Sequence, residues 1–146
     1  MDELSAIAAR VKGSGTVVEL LDAAFDAFEF IRLAARACEA RAPELFAAFM
    51  LSAGSAVEGR NALNEAPSFP SASTGVPLAP PGSPGTDVGV IADALAALAA
   101  SLAQRLPEIA ARADLPGDRN ACESAASAAV DIQRLLGQDS YETRPR

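Results

Sequence analysis

The chain of 146 residues contains no histidine and no tryptophan, and only two cysteines and one tyrosine. Without an imidazole side chain there is no general base with an ordinary pKa near neutrality, no Ser-His catalytic pair and no histidine ligand for a metal. The sequence therefore favours a protein that is not an enzyme. As its main interpretation it indicates no catalytic residue, no metal ligand and no cofactor.

The two cysteines are too few for a disulfide framework. Cys38 and Cys122 also lack the Cys-x-x-Cys spacing of a zinc or redox site. Each falls on an apolar helical stripe, and this position predicts two buried free thiols.

A formal net charge of −7 limits the classes of partner. Such a charge repels phosphate backbones, so nucleic acid is not expected as a partner. The acidic start, Met1–Leu4, lacks the basic and apolar regions of a signal peptide. The uncharged run Leu45–Val57 is too short to cross a bilayer, and the run 66–86 is rich in proline. We therefore expect a cytoplasmic protein without a membrane span.

Alanine, by contrast, supplies 34 residues, and apolar residues recur at helical spacing through most of the chain. A short first helix is predicted around Leu4–Val11, before the breaker at 13–15. Thr16 and Glu19 form a capping box, which predicts the start of a second helix. Two adjacent apolar stripes indicate that this second helix is buried on two sides. The stripes are Val17, Leu21, Ala24, Phe28, Ile31, Ala35 and Cys38, and Leu20, Ala23, Ala27, Phe30, Ala34 and Ala37.

Pro43 predicts a tight turn at 40–42 and the start of a third helix that runs to about Leu63. Gly54 lies in a run of small residues from 52 to 56, and we expect a neighbouring backbone to approach closely there. The residues predicted to face inward are Leu45, Phe49, Ala53, Ala56 and Leu63.

Residues 64–85 contain six prolines, which exclude a helix or a central strand. In a polyproline conformation this connection reaches ~68 Å, enough to cross from one end of a helical bundle to the other. Its Pro-x-x-Pro matches at 67–70, 77–80 and 81–84 leave two interpretations open, a docking motif for a partner or only a connection.

Thr86 is predicted to cap a fourth helix, with a kink or a restart at Pro107. A turn at 114–117 leads to a last helix from Asp118 to Leu136, which Gly137 is expected to end. Residues 138–146 are then expected to form a flexible tail. The inward seam of the fourth helix is Val88, Ile91, Leu95, Leu98, Leu102 and Leu106.

Together these elements predict an all-α fold. The expected architecture is a four-helix bundle of two antiparallel helical hairpins joined by the long proline-rich connection, with the short N-terminal helix beside it. Residues 1–137 are expected to form a single domain.

Four acidic side chains form two i,i+3 pairs on one face of the second helix, and carboxylates at this spacing could hold Mg²⁺. They are Glu19, Asp22, Asp26 and Glu29. The pairs resemble the acidic motifs of the all-α nucleoside triphosphate pyrophosphatases. The resemblance, which covers residues 19–29 alone, implies a magnesium-dependent nucleotide hydrolase. The competing interpretation is a solvent-exposed polar stripe.

The apolar surface of the second and fourth helices exceeds what one small bundle usually hides. This excess predicts an interaction or self-association module, either a homodimer with the fourth helix at or near the interface or a complex with another helical protein. A third hypothesis is a carrier of a small apolar ligand, which requires four phenylalanines to line a void. They are Phe25, Phe28, Phe46 and Phe49.

Overall fold

A computed structural model describes residues 2–69 and 87–142. Within these ranges the chain forms five α-helices and one short 3₁₀ turn, and no strand. The helices are α1 (Asp2–Gly13), α2 (Val17–Cys38), α3 (Phe46–Asn64), α4 (Val88–Arg112) and α5 (Pro116–Glu142), and the 3₁₀ turn is Pro43–Leu45. The all-α prediction is confirmed.

The four long helices pack in the cyclic order α2, α3, α5, α4, and α1 packs on α2 and α4. Short turns make α2/α3 and α4/α5 antiparallel pairs. Ser68, just after α3, bonds to Asp118 in the first turn of α5, so α3 and α5 also run antiparallel. Arg105, near the end of α4, reaches Ser14, just before α2. Each of the four helices therefore runs antiparallel to both of its neighbours in the cycle.

This order separates the end of α3 from the start of α4. The end of α3 lies beside the start of α5, whereas the start of α4 lies at the opposite end of the helical core. The chain between Phe69 and Asp87 must therefore join opposite ends of the core. The helix α4 alone, with its 25 residues, is ~37 Å long. Most of the predicted proline-rich connection, residues 70–85, lies outside the described residues.

The core of the protein consists of the predicted apolar stripes. Both stripes of α2 are buried except for Val17, which is half-buried, and Ala37, which is exposed. Thr16 and Glu19 form the predicted capping box at the start of α2. On α4 the seam from Ile91 to Leu106 is buried, and Val88 is half-buried. The helical period and the caps thus predict correctly which sides of α2 and α4 face the core.

The close approach on α3 occurs at Gly59 and not at Gly54. A Cβ on Gly59 would lie 2.5 Å from the ring of Phe28, whereas a Cβ on Gly54 would have no described neighbour within 4 Å. Gly54 is exposed because it lies about 140° around the helix from Gly59. At Gly54 itself the predicted close approach is absent, although Ser52, Ala53 and Ala56 of the same run are buried.

Several predicted helix ends also differ from those in the structure. Asp87 caps α4 by accepting a bond from the Gly89 amide at 2.8 Å, and the predicted cap, Thr86, lies outside the described residues. The helix continues through Pro107 to Arg112. Pro116 begins α5, because proline suits the first position of a helix, where its missing N–H costs nothing.

The prediction that Gly137 ends the last helix is wrong, since α5 continues through it to Glu142. Gly137 has an ordinary helical backbone and not the left-handed conformation of a glycine cap. Residues 138–142 thus belong to α5, and 143–146 lie outside the described residues. The flexibility of the tail 138–146 stays a prediction.

The first residues of the proline-rich connection pack on the helices. The Asp118 carboxylate is buried, and it accepts bonds from the amide of Ser68 at 2.9 Å and from its hydroxyl at 2.6 Å. The Phe69 ring lies 5.2 Å, centroid to centroid, from the ring of Phe25. Residues 67–69 therefore tie α5 to α2 across one end of the core.

One of the described helices, α4, is long and apolar enough to cross a membrane by length and composition. Its seam, which includes Leu95, Leu98 and Leu102, is buried among the other helices. Core helices of helical proteins commonly have this composition. The expected absence of a membrane span stays a prediction.

Candidate interaction surface

Large apolar side chains are exposed along the first half of α3. Phe46 and Met50 are each 44% exposed, and Leu51 is 51% exposed. They point outward because a different side of the helix, formed by Phe49, Ala53 and Ala56, faces the core. On the neighbouring helix α5, Val130 is exposed and Leu135 is half-buried. We refer to this surface, from Phe46 to Glu58 on α3 and from Val130 to Leu135 on α5, as the α3/α5 face.

An open groove of ≈ 360 Å³ runs between the two helices of the α3/α5 face. Because α3 and α5 are antiparallel, the groove lies between the first half of α3 and the second half of α5. The groove is lined by Met50, Leu51, Gly54, Ser55 and Glu58 from α3 and by Asp131, Arg134 and Leu135 from α5. The groove therefore combines apolar side chains with charged groups of both signs.

The charged groups of the groove have no ionic partner in the part of the chain that the structure describes. Arg134 is exposed and makes no ion pair there, and the same holds for Glu58 and Asp131. Elsewhere most arginines that lie next to acidic residues are paired, as Arg10 and Arg32 are. The groove thus offers free charges of both signs around an apolar centre.

In the structure, the acidic residues predicted to hold Mg²⁺ accept hydrogen bonds from arginines or from backbone amides. The Arg10 guanidinium bridges Asp22 at 3.0 Å and Asp26 at 2.7 Å. Glu19 accepts bonds from the amides of Gly15 and Thr16. Among residues 2–69 and 87–142, no group of three acidic, cysteine or histidine side chains is close enough to hold a metal ion. In the structure, these carboxylates link α1 to α2 and cap the start of α2.

The fourth acidic residue, Glu29, lies further along α2 and binds two arginines. It accepts bonds from Arg32 at 3.0 and 3.2 Å and from Arg60 on α3 at 2.7 Å. Burial raises the pKa of Glu29, but the hydrogen bonds and positive charges of the two arginines outweigh burial and hold the pKa below its ordinary value. Glu29 therefore remains ionised at neutral pH and links α2 to α3.

The four phenylalanines of the carrier hypothesis lie in three different environments. Phe28 and Phe49 are fully buried, and Phe28 packs against the backbone of Gly59. Phe25 contacts Phe69, while Phe46 is exposed on the α3/α5 face. The structure does not bring these rings together around one void.

Both cysteines are buried free thiols, as predicted. Burial raises the pKa of Cys122 to about 11, and the charges of Asp118 and Glu123 act in the same direction. Burial also raises the pKa of Cys38, against the opposing effect of Arg41. Both side chains are therefore protonated at neutral pH and are poor nucleophiles.

Only the first proline-rich match falls partly within the described residues. Pro67, Ser68 and Phe69 pack against the helices, so this part of the connection has a structural role. The matches at 77–80 and 81–84 lie outside the described residues.

The apolar stripes of the sequence do not predict the α3/α5 face. A usable signal was present, since Phe46, Met50 and Leu51 are large apolar residues that fall outside the predicted inward set on the third helix.

No family model, curated protein or solved structure matches this chain.

Proposed function

We propose that the protein is a non-enzymatic interaction module that binds another helical surface, either a second copy of itself or another helical protein, through its α3/α5 face. The observation that carries the proposal is the exposure of Phe46, Met50 and Leu51 within the first two turns of a single helix. Contiguous exposed apolar side chains rimmed by polar residues are typical of protein interaction sites. Covering three such half-exposed side chains contributes roughly 1 kcal/mol each.

The groove beside these residues supports a helical partner. Grooves between two antiparallel helices accept the ridge of a third helix, with apolar anchors at helical spacing. Unpaired charges at Glu58, Asp131 and Arg134 would orient the partner. We also propose that the protein is cytoplasmic. Because its net charge is −7, we expect no nucleic acid partner.

The sequence predicts the interface at or near α4, whereas we propose that it lies on α3 and α5. Most large apolar residues of α4 are buried in the core, and the exposed one among them is Val90, at 53%. On α3, three large apolar residues are exposed, namely Phe46, Met50 and Leu51. The surface that remains to be covered is therefore larger on the α3/α5 face.

Photo-cross-linking inside the cells that make the protein tests this proposal. A benzoylphenylalanine is placed at Leu51 and, as a matched control, at Val90, because the two side chains are almost equally exposed. We expect covalent protein adducts from position 51 and few from position 90. Adducts from position 90 and none from position 51 would overturn the α3/α5 face and restore α4 as the interface. No adduct from either position would overturn the proposed function.

A further inference from the structure

We infer that the α3/α5 face binds a single basic amphipathic helix of another protein, about four turns long. The inference rests on the proposed function, because it names the chemistry of the occupant of the same face. Three features select this occupant: the dimensions of the seam between α3 and α5, the position of the apolar side chains along it and the charges that line it.

The groove of the α3/α5 face is one stretch of a longer furrow along the outer seam between α3 and α5. A second open stretch, of ≈ 310 Å³, lies between the end of α3 and the start of α5. The residues that line the two stretches follow one another at helical spacing, so on each helix they share one side. On α3 they include Leu51, Ser55, Glu58, Ala62 and Glu65, and on α5 Gly117, Ala121, Ser124, Asp131 and Leu135. We refer to the two stretches together as the α3/α5 furrow.

The α3/α5 furrow has the dimensions of one helix. From Met50 to Glu65 the axis of α3 rises by ~22 Å, which is about four helical turns. The width of the furrow is that of the seam between two adjacent helices, which accepts the ridge of one further helix. A helix seated there covers less surface than the ~800 Å² per partner of a standard protein interface. The furrow therefore suits one helix better than a folded domain, and we expect a dissociation constant in the micromolar range or weaker.

The large apolar side chains are concentrated at one end of the α3/α5 furrow. Met50 and Leu51 line this end from α3, and Leu135 lines it from α5. Phe46 is exposed one turn before Met50. An amphipathic helix binds such a surface through apolar anchors three, four or seven residues apart. The partner helix is therefore expected to carry its large apolar anchors in one half of its length.

Acidic groups predominate among the charged residues that line the α3/α5 furrow. These residues are Glu58, Glu65, Asp131 and Arg134. All four side chains are exposed, and none forms an ion pair within residues 2–69 and 87–142. Glu58 and Asp131 belong to opposite walls of the furrow, so a helix between the walls meets a carboxylate on either flank. Three carboxylates against one guanidinium, in a protein of net charge −7, favour a partner helix with lysine or arginine on its flanks.

The positions of the carboxylates give the spacing of the basic residues in the partner. Along the axis of α3, Glu58 lies ~12 Å beyond Met50 and Glu65 lies ~10 Å further. The basic side chains of the partner should therefore lie about two to four turns from its apolar anchors. A second copy that pairs through the same face brings the same acidic lining and does not supply this pattern.

Binding of three designed helical peptides to the full chain tests the inference. The peptides share one face of leucine anchors and carry lysine, glutamine or glutamate on their flanks, three residue types of similar helix propensity. Fluorescence anisotropy measures each dissociation constant in about 0.01 M and about 1 M salt, where the Debye length is ~30 and ~3 Å. In low salt the lysine peptide should bind about tenfold more tightly than the glutamine peptide, and the glutamate peptide should bind most weakly. Equal binding of the three peptides in low salt would overturn the inference.

Variants that change the net charge equally locate the binding site, because a chain of net charge −7 attracts any cation to some extent. Glu58→Gln combined with Asp131→Asn should weaken binding of the lysine peptide about tenfold in low salt. Glu3→Gln combined with Asp93→Asn removes the same charge at exposed positions of α1 and α4 and should change binding by less than about twofold. An equal loss in the two double variants would mean non-specific attraction and would overturn the inference.

Arg134 provides a test of opposite sign. Arg134→Gln removes the basic side chain that lines the α3/α5 furrow, and it should tighten binding of the lysine peptide about threefold in low salt. Arg112→Gln makes the same change of net charge at an exposed position in the last turn of α4 and should leave the dissociation constant unchanged. Weaker binding to the Arg134→Gln variant would contradict the assigned role of charge in the furrow.

The apolar end of the furrow should contribute to the binding of all three peptides. Leu51→Ser should weaken each of them about tenfold, whereas Val90→Ser, at an almost equally exposed position on α4, should leave the dissociation constants unchanged. Circular dichroism shows whether each variant is folded, and Met50→Ser serves as a second variant of the same end. Unchanged binding in both the Leu51→Ser and the Met50→Ser proteins would overturn the inference.

The cellular cross-links from position 51 separate failure of this inference from failure of the proposed function. Mass spectrometry identifies the partner segment that is joined to position 51. A segment with apolar residues at helical spacing and an excess of lysine and arginine supports both. A neutral or acidic segment, or an adduct of twice the monomer mass of 14.9 kDa, supports the proposed function and overturns the basic helix. The absence of any adduct overturns both.

Discussion

Gly59 of α3 lies against the ring of Phe28 of α2 so closely that a Cβ on Gly59 would be 2.5 Å from two ring carbons. This contact brings the two helices together at the point where Phe28 fills the core. Glu29, the next residue on α2, binds Arg60, the next residue on α3. A buried steric contact and an ion pair at the surface thus define the same register between α2 and α3.

The two glycines of α3 should respond to alanine in opposite directions. Gly59→Ala should lower the free energy of unfolding by about 1–2 kcal/mol, because overpacking against Phe28 costs ~1–3 kcal/mol and a better helix propensity offsets only part of it. Gly54→Ala should raise it by about 0.5–1 kcal/mol, since its Cβ has no described neighbour within 4 Å. Urea denaturation at low protein concentration measures both. Equal effects would mean that the Phe28–Gly59 contact is absent.

The link between Asp118 and Ser68 should hold residues 67–69 on the helices. Asp118→Ala leaves the amide and the hydroxyl of Ser68 without their acceptor, and it should lower the free energy of unfolding by about 1–3 kcal/mol. The same variant should increase proteolytic cleavage between 66 and 69. Ser68→Ala retains the amide bond and should have a smaller effect on both. Cleavage in this segment that is equally fast in the wild type would contradict its packing.

Glu29 should make stability depend on pH in the acid range. Its pKa in the folded protein lies below its reference value of 4.5, so the ionised carboxylate stabilises the folded state at pH values above about 4.5. This contribution should disappear as the pH falls from there through the lowered pKa. Glu29→Gln should therefore flatten the profile of melting temperature between pH 5 and the acid transition, roughly the window in which such carboxylates act. Arg60→Gln should flatten it in part, and an unchanged profile in both variants would contradict the assigned pKa direction.

An aspartate should lower the free energy of unfolding far more at Leu98 than at its neighbour Ala97 on α4. Leu98 is buried and Ala97 is exposed. Leu98→Asp should lower the free energy of unfolding by at least about 3 kcal/mol, because loss of a core leucine costs ~2–5 kcal/mol and a buried unpaired charge adds to it. Ala97→Asp should change it by less than about 1 kcal/mol. Chemical denaturation followed by circular dichroism measures the difference, and similar midpoints would show that the register of α4 is wrong.

The sequence predicts the helices and their buried sides well because these depend on local information. The capping box of Thr16 and Glu19 and the seam from Ile91 to Leu106 are determined by spacing within one helix. Helix ends are less predictable, since Gly137 adopts an ordinary helical backbone although its residue type is typical of a cap.

The α3/α5 face could not be identified from spacing alone. Whether Met50 and Leu51 are covered depends on which helices lie beside α3, and this follows from the cyclic order of the four long helices. The contact between Gly59 and Phe28 likewise depends on the register of two helices. The acidic residues of α2 illustrate the same limit, because Arg10 and Arg60, which neutralise them, come from other helices.

The crossover from the end of α3 to the opposite end of the core has a consequence for synthesis on the ribosome. The side of α2 that packs on α4 has no cover until the segment up to Leu106 has been translated. At ~5–20 residues per second, the nascent first hairpin waits for several seconds with this side of α2 still accessible to solvent or to a chaperone. The order of the helices therefore makes the first half of this chain depend on the second before it can leave the ribosome in its folded form.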